Sequence, residues 1–495
     1  MEPIEKIRKI KEAITSKYFF VDNFADEIII KGKKQGFNPA VMLTIAADMV
    51  GGRVLYKGDY GFGKTTLPKI YTALARGIPM EVVQLATFQG HPEVSKFDLL
   101  GLPDLGKLNE GKERIIWSFA HLFDMPVIFD EFARIPEGKQ GIVLSCIEEG
   151  VSKIGNNILF ANGRPLYATA NFIDDGNSDI IPPILDRFDF LMFNEYEGVL
   201  QTIKAQGAVQ EKRVRNDLYL DQTDCLSILV DIVKESVDSD RFVESQKKIP
   251  KKILQDYAKH LNKLGLPEPL TLEERATLKE QIAEIPFVKG PENPEYFLHC
   301  LIAEINSSRK YGVKRSEDPP IIEEGGKDEL RDKGTVSKHV QYPISPRIWR
   351  ITDFAKAIAL YAGEKKVTMG IIKAILPYAL ALCTFTDDFR GAVESNHRDY
   401  AIQIACAKKL VGEVQHKYDQ TGYGAEVRDA IKFSMLFDSK KNLKEKEALF
   451  AKALDTLNLV KGKDDSFDIE TIENPTVYDV MKRMEKDLDR KGEYL

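Results

Sequence analysis

The stretch that decides the fold reads Gly58-Asp59-Tyr60-Gly61-Phe62-Gly63-Lys64-Thr65. It fits the pattern GxxxxGK[ST], whose glycines let backbone N–H groups curl around phosphate oxygens at the start of a helix. Lys64 would reach the β- and γ-phosphates of a nucleotide, Thr65 would ligate Mg²⁺, and Thr66 continues the phosphate-binding segment. The other interpretation is a chance glycine-rich turn.

Around this loop the sequence alternates between strand and helix patterns. The first 50 residues predict helices, and residues 53–58 (RVLYKG) predict a buried strand that enters the loop. Further along, the sequence predicts a helix at 67–76, a second strand at 81–86 (EVVQLA), a third at 125–130 (MPVIFD), a helix over 133–149 and a fourth strand at 165–171 (PLYATAN). This alternation predicts an α/β fold with a parallel sheet enclosed by helices.

Polar residues end two of the predicted strands. Asp130 and Glu131 follow an apolar run, which brings their carboxylates to the carboxyl edge of the sheet, beside the glycine-rich loop. Asp130 would hold Mg²⁺ through water, and Glu131 would polarise an attacking water molecule. Asn171 ends the fourth strand, where its amide would bind the γ-phosphate or position that water. The alternative for Asn171 is a turn-forming residue that caps the strand.

The patterns along the 495 residues predict four structural regions. Residues 1–200 form the α/β core and include a hairpin at 151–163 that turns at Gly155-Asn156-Asn157. Residues 201–280 form a helical insertion, and residues 281–390 form a helical lid. Within the lid, residues 314–335 are charged and broken by Pro-Pro and Gly-Gly, which predicts a mobile loop. Residues 391–495 form a helical C-terminal extension.

Composition narrows the functional classes. The hydrophobic fraction is 43%, the charged fraction is 29% and the net charge is −6, as in soluble globular proteins that do not bind nucleic acid generally. No apolar run approaches the roughly 20 residues that span a bilayer. The five cysteines are scattered without a CxxC pair, which indicates reduced thiols and a cytoplasmic location.

Several short runs together resemble the AAA+ ATPases, and among them the MoxR family. The resemblance covers most of the first 200 residues and resumes at about residues 280–380. Residues 58–65 look like Walker A and residues 127–131 like Walker B. The further matches are the run 130–136 (DEFARIP, like DE-x-x-R-x-P), IEEGVSKI before the hairpin, ATANF as the sensor-1 strand, Ile184-Leu185-Asp186-Arg187-Phe188, Ser345-Pro346-Arg347, and the VT-x₄-KA-x₂-P run over 367–377.

This resemblance implies roles and partners for the chain. It implies ATP hydrolysis with Mg²⁺ in a homo-oligomeric ring, most commonly a hexamer, and often a von Willebrand A-domain protein as partner. Asn171 inherits the sensor-1 role and Arg347 the sensor-2 role. Arg187 would act in trans on the γ-phosphate of the neighbouring subunit. Alternatively, Arg347 forms a surface ion pair, and Arg187 pairs with Asp186 or Asp189.

Arg134 has two equally weighted interpretations. It would serve the subunit interface, as a second candidate for the trans-acting finger, or pair with Glu131 or Glu137 in its own chain. The sequence also departs from the family pattern, because Asp59-Tyr60 replaces the usual Pro-Pro. Residues 201–280 are longer than a minimal member needs, and residues 391–495 have no assigned counterpart.

Three functions compete at this point. The first is an ATP-driven chaperone or remodelling factor for protein-complex assembly, whose client protein the sequence does not identify. The second is a nucleic-acid motor related to minichromosome maintenance helicases, which share hairpin insertions. The segment 151–164, which contains the hairpin, carries only Lys153 and Arg164 as cations, whereas translocation along DNA favours a basic pore. The third is a slowly hydrolysing, nucleotide-gated scaffold.

Overall fold

A computed structural model describes the chain over residues 2–18, 26–58, 61, 63–111, 114–118, 120, 125–148, 151–155, 157–160, 164–171, 180, 182–194, 216–220, 242–244, 251–308, 312–313, 335–394, 402–459 and 472–489. The predicted loop at 314–335 therefore lies outside the described residues, except for Thr335, which is buried. The predicted insertion at 201–280 is described mainly from residue 251 onward.

The strands are short and the helices are numerous. The strands are β1 (Asp26–Ile30), β2 (Lys33–Phe37), β3 (Arg53–Gly58), β4 (Thr87–Gln89), β5 (Gly101–Pro103), β6 (Ile115–Trp117), β7 (Val127–Asp130), β8 (Val151–Ile154), β9 (Asn157–Phe160), β10 (Leu166–Ala170), β11 (Phe190–Asn194), β12 (Phe242–Glu244), β13 (Ser307–Ser308) and β14 (Gly312–Val313). The helices are α1 (Pro3–Ala13), α2 (Pro39–Val50), α3 (Thr66–Arg76), α4 (Met80–Leu85), α5 (Lys96–Leu100), α6 (Leu105–Asn109), α7 (Glu137–Glu148), α8 (Pro182–Leu185), α9 (Lys251–Lys263), α10 (Leu272–Glu284), α11 (Pro294–Asn306), α12 (Ile351–Ala362), α13 (Met369–Leu380), α14 (Asp387–Glu394), α15 (Ile402–Asp419), α16 (Tyr423–Ser439), α17 (Leu443–Thr456) and α18 (Pro475–Asp489).

A five-stranded parallel sheet lies at the centre of the core, in the order β11-β3-β10-β7-β4. Every residue of β10 is buried, and β7 is buried up to Asp130. Strands covered on both faces read as continuous apolar runs, which is why β3, β7 and β10 were recognisable in the sequence. The predicted α/β fold class, a P-loop core with a parallel sheet and additional helices, is confirmed.

Two of the secondary-structure predictions were wrong. Residues 81–86 were predicted as the second strand, but residues 81–85 belong to helix α4, and the shorter strand β4 follows at Thr87–Gln89. The first four residues of α4 are all buried: Met80, Glu81, Val82 and Val83. In so short a buried run, the spacing of apolar residues does not distinguish a helix from a strand. The N-terminal 50 residues are not helical throughout, because β1 and β2 form an antiparallel hairpin.

The predicted hairpin within the core is confirmed. Strands β8 and β9 pair antiparallel, with Val151 opposite Phe160 and Ile154 opposite Asn157. Gly155 adopts a φ of 58°, a left-handed conformation that a turn requires and glycine takes without strain. A short additional strand, β12, pairs parallel with β9 and extends this small sheet to three strands.

The chain divides into two compact units. The first comprises Met1–Ile285 with Trp349–Lys365, and the second comprises Pro286–Ile348 with Lys366–Leu495. Helix α12, which the sequence placed in the lid, therefore lies in the first unit. There it packs against α2, and the ring of Phe354 leaves no room for a Cβ at Gly52. The four-part division by residue number stays a prediction.

An ion pair with a buried carboxylate ties α12 to the sheet within the first unit. The Asp189 carboxylate, just before β11, accepts a hydrogen bond from the Arg53 backbone N–H at 2.7 Å. The same carboxylate lies 2.9 Å from Nε of Arg350, and its side chain is only 3% exposed. Arg350 also donates to the carbonyl oxygen of Gly51 at 3.3 Å. One carboxylate therefore holds the start of β3 and the start of α12 together.

We expect Asp189→Ala to destabilise the protein by about 2–3 kcal/mol, because it leaves a buried N–H and a guanidinium without their anionic partner. Asp186→Ala is the matched control, since Asp186 is exposed and three residues away, and should change stability by less than about 0.5 kcal/mol. Urea unfolding followed by circular dichroism measures both. Equal midpoints for the two variants would show that the Asp189 pair contributes nothing.

The second unit is built from helices α11 and α13 to α18. Glu304 on α11 is fully buried, and its carboxylate accepts a hydrogen bond from Lys417 on α15 at 2.7 Å and another from the hydroxyl of Tyr423 on α16. Asn474 precedes α18 and donates to the Tyr423 carbonyl oxygen at 3.4 Å. Four helices of this unit are thereby linked through one polar cluster. No helix in the described part of the chain is long and apolar enough to cross a membrane.

Candidate nucleotide site

The glycine-rich loop lies where the sequence placed it, between β3 and α3. Gly61 and Gly63 adopt φ values of 84° and 75°, which are left-handed conformations that favour glycine. Asp59, Tyr60 and Phe62 lie outside the described residues. Lys64 is only 7% exposed, and its Nζ donates a hydrogen bond to the Gly58 carbonyl oxygen at 2.8 Å. The ammonium group is therefore held against the loop.

Thr65 and Asp130 meet at the carboxyl edge of the sheet. Thr65 immediately precedes α3, and its hydroxyl donates to Oδ1 of Asp130 at 2.5 Å. The hydroxyl of Thr169 on the neighbouring strand β10 donates to the same oxygen at 2.8 Å. No sequence motif singles out Thr169. Its signal was a threonine in an otherwise aliphatic and aromatic strand, two residues before Asn171.

Glu131 has an unusual backbone conformation. Its φ of 56° is left-handed, which is uncommon for a residue with a side chain and often marks a functional site. Its backbone N–H donates to the Thr169 hydroxyl at 3.0 Å. Three side chains surround the carboxylate. Nδ2 of Asn171 lies 3.4 Å from Oε1, Nε of Arg134 lies 3.3 Å from Oε2, and Nε2 of Gln89 lies 3.5 Å from Oε2.

Gly90, which no sequence motif singles out, makes room for this backbone conformation. The N–H of Gly90 donates to the Asp130 carbonyl oxygen at 2.7 Å. A Cβ at position 90 would overlap the carbonyl group of Glu131, so the position requires glycine. The strand pair β4 and β7, with Gln89 opposite Asp130, creates this close approach.

We expect Gly90→Ala to destabilise the protein by about 2–3 kcal/mol and to lower any activity that depends on Glu131, because either β4 or the Glu131 peptide must move. Gly138→Ala on α7 is the matched control, since an added Cβ there meets nothing within 4 Å. The control should be neutral or stabilising by at most about 1 kcal/mol. Thermal unfolding measures both, and an unshifted midpoint for Gly90→Ala would contradict the close approach.

Asn171 is brought to the site as predicted. It follows β10, is 6% exposed, and its amide faces Glu131. Because the amide contacts Glu131, the residue expected to polarise the attacking water, it can orient that carboxylate. Thr66 is the first residue of α3 and is partly buried.

The oxygen donors fit Mg²⁺. That ion prefers one or two protein oxygens, with waters and substrate phosphates completing an octahedron. The Thr65 hydroxyl and the Asp130 carboxylate provide such a pair. Among the described residues, no cluster of three or more His, Cys, Asp or Glu side chains could hold a metal by itself. The pair of Thr65 and Asp130 leaves the remaining positions of such an octahedron to waters and substrate phosphates.

The three predicted arginines lie in different places. Arg134 lies 3.3 Å from Glu131 of its own chain, and its role at a subunit interface stays a prediction. Arg187 follows α8, is partly exposed, and its guanidinium donates to the Pro183 carbonyl oxygen. Arg347 lies in the second unit, where its backbone N–H donates to the Ser345 hydroxyl at 3.3 Å. The trans role of Arg187 and the sensor role of Arg347 stay predictions.

Comparison with known proteins identifies a solved structure with a similar fold. No protein-family model matches the sequence, and no curated protein matches it. Among solved structures, the chain is similar to a protein from Cytophaga hutchinsonii for which ATPase activity has been proposed, with a TM-score of 0.50 and 13% sequence identity. The similarity covers 84% of this chain and 94% of the other. At this identity, the similarity establishes a shared fold.

Proposed function

We propose that this protein is an Mg²⁺-dependent ATPase whose hydrolytic cycle drives conformational work. The observation that carries the proposal is the contact between the Thr65 hydroxyl and the Asp130 carboxylate at 2.5 Å, beside a buried Lys64. A hydroxyl and a carboxylate from the two motifs converge where a metal–phosphate complex would sit. The fold shared with the Cytophaga hutchinsonii protein is consistent with this activity.

The residues divide the work of hydrolysis. Lys64 neutralises charge on the β- and γ-phosphates, and bound Mg²⁺, held by Thr65 and Asp130, would supply further neutralisation. The Glu131 carboxylate accepts a proton from the attacking water. The oxygen of that water bonds to the γ-phosphorus while the bond between the γ-phosphorus and the bridging oxygen of the β-phosphate breaks, which yields ADP and phosphate. Asn171 orients Glu131 or the water through its amide. Positioning and charge stabilisation supply most of the catalysis in such reactions.

Steady-state phosphate release from ATP by the purified full chain tests this function. We expect turnover with Mg²⁺ and none above background when EDTA removes the metal. ATP should also raise the melting temperature, because a ligand that binds only the folded state stabilises it by about 2.7 kcal/mol at 100 times its Kd. A chain that neither binds nor hydrolyses ATP would contradict the proposal.

For the biological role we propose a MoxR-like AAA+ ring that remodels or matures a protein complex. The ring would be a hexamer, and a von Willebrand A-domain protein would be its partner. The support is the motif set in the sequence, together with the β8–β9 hairpin inserted in the core. Head-to-tail contacts between identical subunits close into a ring when the rotation fits. Light scattering with and without ATP measures the assembly state.

The nucleic-acid motor is the second candidate, because the β8–β9 hairpin is an insertion of the kind that such motors use. The charge in and beside the hairpin is unfavourable for binding nucleic acid, however. Lys153 is exposed, but Arg164 donates to the Ala120 carbonyl oxygen at 2.6 Å and is thus committed to the fold. Binding of single-stranded DNA at two salt concentrations separates the candidates, since a motor that contacts phosphates shows a steep salt dependence. The scaffold alternative predicts nucleotide binding without appreciable turnover.

A further inference from the structure

The single hydroxyl of Thr169 contacts both acidic residues at the end of β7. It donates a hydrogen bond to Oδ1 of Asp130 at 2.8 Å and accepts one from the backbone N–H of Glu131 at 3.0 Å. A hydroxyl has one proton to donate, and here that proton goes to the Asp130 carboxylate. The two contacts therefore use the donor and an acceptor of the same group, and a side chain without a hydroxyl would lose both.

Strand register places Thr169 beside these two residues. Strands β10 and β7 run parallel with Ala168 opposite Phe129, so the next residue is Thr169 on one strand and Asp130 on the other. Strand β10 lies between β3 and β7, and Thr169 is only 1% exposed. A buried hydroxyl finds its hydrogen-bond partners within the protein. The position of this hydroxyl is thus set by the central sheet rather than by a loop.

The contact with Asp130 acts on the proposed metal site. Two hydroxyls, from Thr65 at 2.5 Å and from Thr169 at 2.8 Å, donate to the same carboxylate oxygen. Hydrogen bonds to an ionised carboxylate are stronger than those between neutral groups. Partners of this kind orient a metal-ligating carboxylate, and their loss typically lowers metal affinity or activity by about 10–100-fold. Thr65 is itself an expected ligand, so Thr169 is the partner whose removal leaves both expected ligands in place.

The contact with Glu131 acts on its backbone. The φ of 56° at Glu131 is a conformation that persists in a residue with a side chain only when the surrounding structure holds it. The N–H of Glu131 is held by Thr169, and its carbonyl oxygen accepts the N–H of Arg134 at 2.9 Å. The Glu131 backbone is thereby fixed against the sheet, and with it the direction in which the side chain leaves the chain.

We propose that Thr169 is a positioning residue whose hydroxyl orients the Asp130 carboxylate for Mg²⁺ and holds the Glu131 backbone in its left-handed conformation. This inference rests on the proposed ATPase function and adds a residue outside both the glycine-rich loop and the strand that ends in Asp130. Metal binding and the placement of the base depend on the same hydroxyl. Thr169 acts through these two residues rather than on the nucleotide.

The test compares metal binding by the full chain for wild type, Thr169→Val, Thr169→Ser and Thr72→Val. Valine has nearly the shape of threonine without the hydroxyl, whereas serine keeps the hydroxyl. Thr72→Val is the matched control, because Thr72 is fully buried in the first unit and its hydroxyl has no hydrogen-bond partner among the described residues. Electron paramagnetic resonance of free Mn²⁺, titrated in the presence of ADP, gives the metal affinity without turnover.

We expect Thr169→Val to weaken Mn²⁺ binding by about 10–100-fold. Its affinity for ADP in EDTA, measured by calorimetric titration, should match wild type, because the glycine-rich loop is unchanged. Thr169→Ser should recover most of the metal affinity, and Thr72→Val should match wild type throughout. When Mg²⁺ is raised to saturation, kcat of Thr169→Val for ATP should stay at least about tenfold low, because the Glu131 backbone has lost its partner.

Each result decides between named alternatives. A wild-type metal affinity in Thr169→Val would overturn the role at Asp130, and a wild-type kcat at saturating Mg²⁺ would overturn the role at Glu131. Loss of ADP binding in EDTA, or a Thr169→Ser variant as weak as Thr169→Val, would show that packing rather than the hydroxyl matters and would overturn both.

Failure of the ATPase function has a different signature. A wild-type chain that binds Mn²⁺ with ADP but hydrolyses no ATP would overturn that function, while the binding series would still decide the role of Thr169 at the metal. A wild-type chain that binds no Mn²⁺ with ADP would overturn the function and the role of Thr169 together.

Discussion

Lys64→Ala is expected to abolish ATP binding, whereas Glu131→Gln is expected to bind ATP normally and fail to hydrolyse it. Lys64 lies against the glycine-rich loop, with its Nζ 2.8 Å from the Gly58 carbonyl oxygen, so its charge is directed at the phosphate site. Loss of a charge-assisted hydrogen bond of up to about 3 kcal/mol weakens binding by roughly 100-fold. At working ATP concentrations the site would then be empty.

Glu131→Gln changes a different step. The amide has nearly the shape of the carboxylate, so Asn171 and the backbone contact with Thr169 remain available, but it accepts no proton from water at neutral pH. Loss of a general base lowers the rate by about 10²–10⁴-fold. Calorimetric titration with ATP and phosphate release separate the two variants, because only the first should lose binding.

Matched controls isolate these effects. Lys69→Ala removes a lysine from the same helix, α3, and Glu137→Gln removes an exposed acid at the start of α7. Both should bind and hydrolyse ATP within about twofold of wild type. Normal hydrolysis by Glu131→Gln would assign the base to another group, and normal binding by Lys64→Ala would remove the loop from the nucleotide site.

The sequence predicted the centre of the site because local chemistry determines it. Lys64 and Thr65 are fixed by the loop and helix that contain them, and Asp130 by the end of an apolar strand. Thr169, Gln89 and Gly90 were missed because their roles arise from strand register. The pairing that sets Gln89 opposite Asp130 joins two segments about 40 residues apart, and no local pattern encodes it.

The ion pair of Asp189 was beyond prediction for a related reason. The sequence offered Asp189 as a neighbour for Arg187, two positions away. In the structure the Asp189 carboxylate is taken by Arg350, which follows Arg347 by one helical turn and lies far along the chain. Sequence proximity did not indicate Arg350, because only the packing of α12 against α2 within the first unit brings it to the sheet.

Arg187→Ala is expected to lower ATP turnover by about 10³-fold while ATP binding persists. In the proposed ring, this segment lies away from its own glycine-rich loop, so the guanidinium would reach the γ-phosphate held by the next subunit. There it would stabilise charge on the transferring phosphoryl oxygens. In the single chain, Arg187 is partly exposed and donates to the Pro183 carbonyl oxygen one turn earlier, which leaves it at the surface.

The alternative role of Arg187, an ion pair within its own chain, is less favoured at Asp189. Asp189, one of the two acids proposed as a partner for Arg187, already has the Arg53 N–H at 2.7 Å and Arg350 at 2.9 Å. Arg187→Ala should therefore leave the Asp189 pair and the melting temperature nearly unchanged. A fall in stability as large as that expected for Asp189→Ala would indicate a structural role for Arg187 instead.

Mixing the two inactive variants provides the decisive measurement. Lys64→Ala has an intact Arg187 but no functional loop, and Arg187→Ala has an intact loop but no finger. In mixed rings some interfaces pair a wild-type loop with a wild-type arginine, so part of the ATPase activity should return, in proportion to those interfaces. Light scattering confirms that rings have formed. Normal hydrolysis by assembled Arg187→Ala rings would place the finger elsewhere and make Arg134 the next candidate, in which case its contact with Glu131 in the single chain would have to break on assembly.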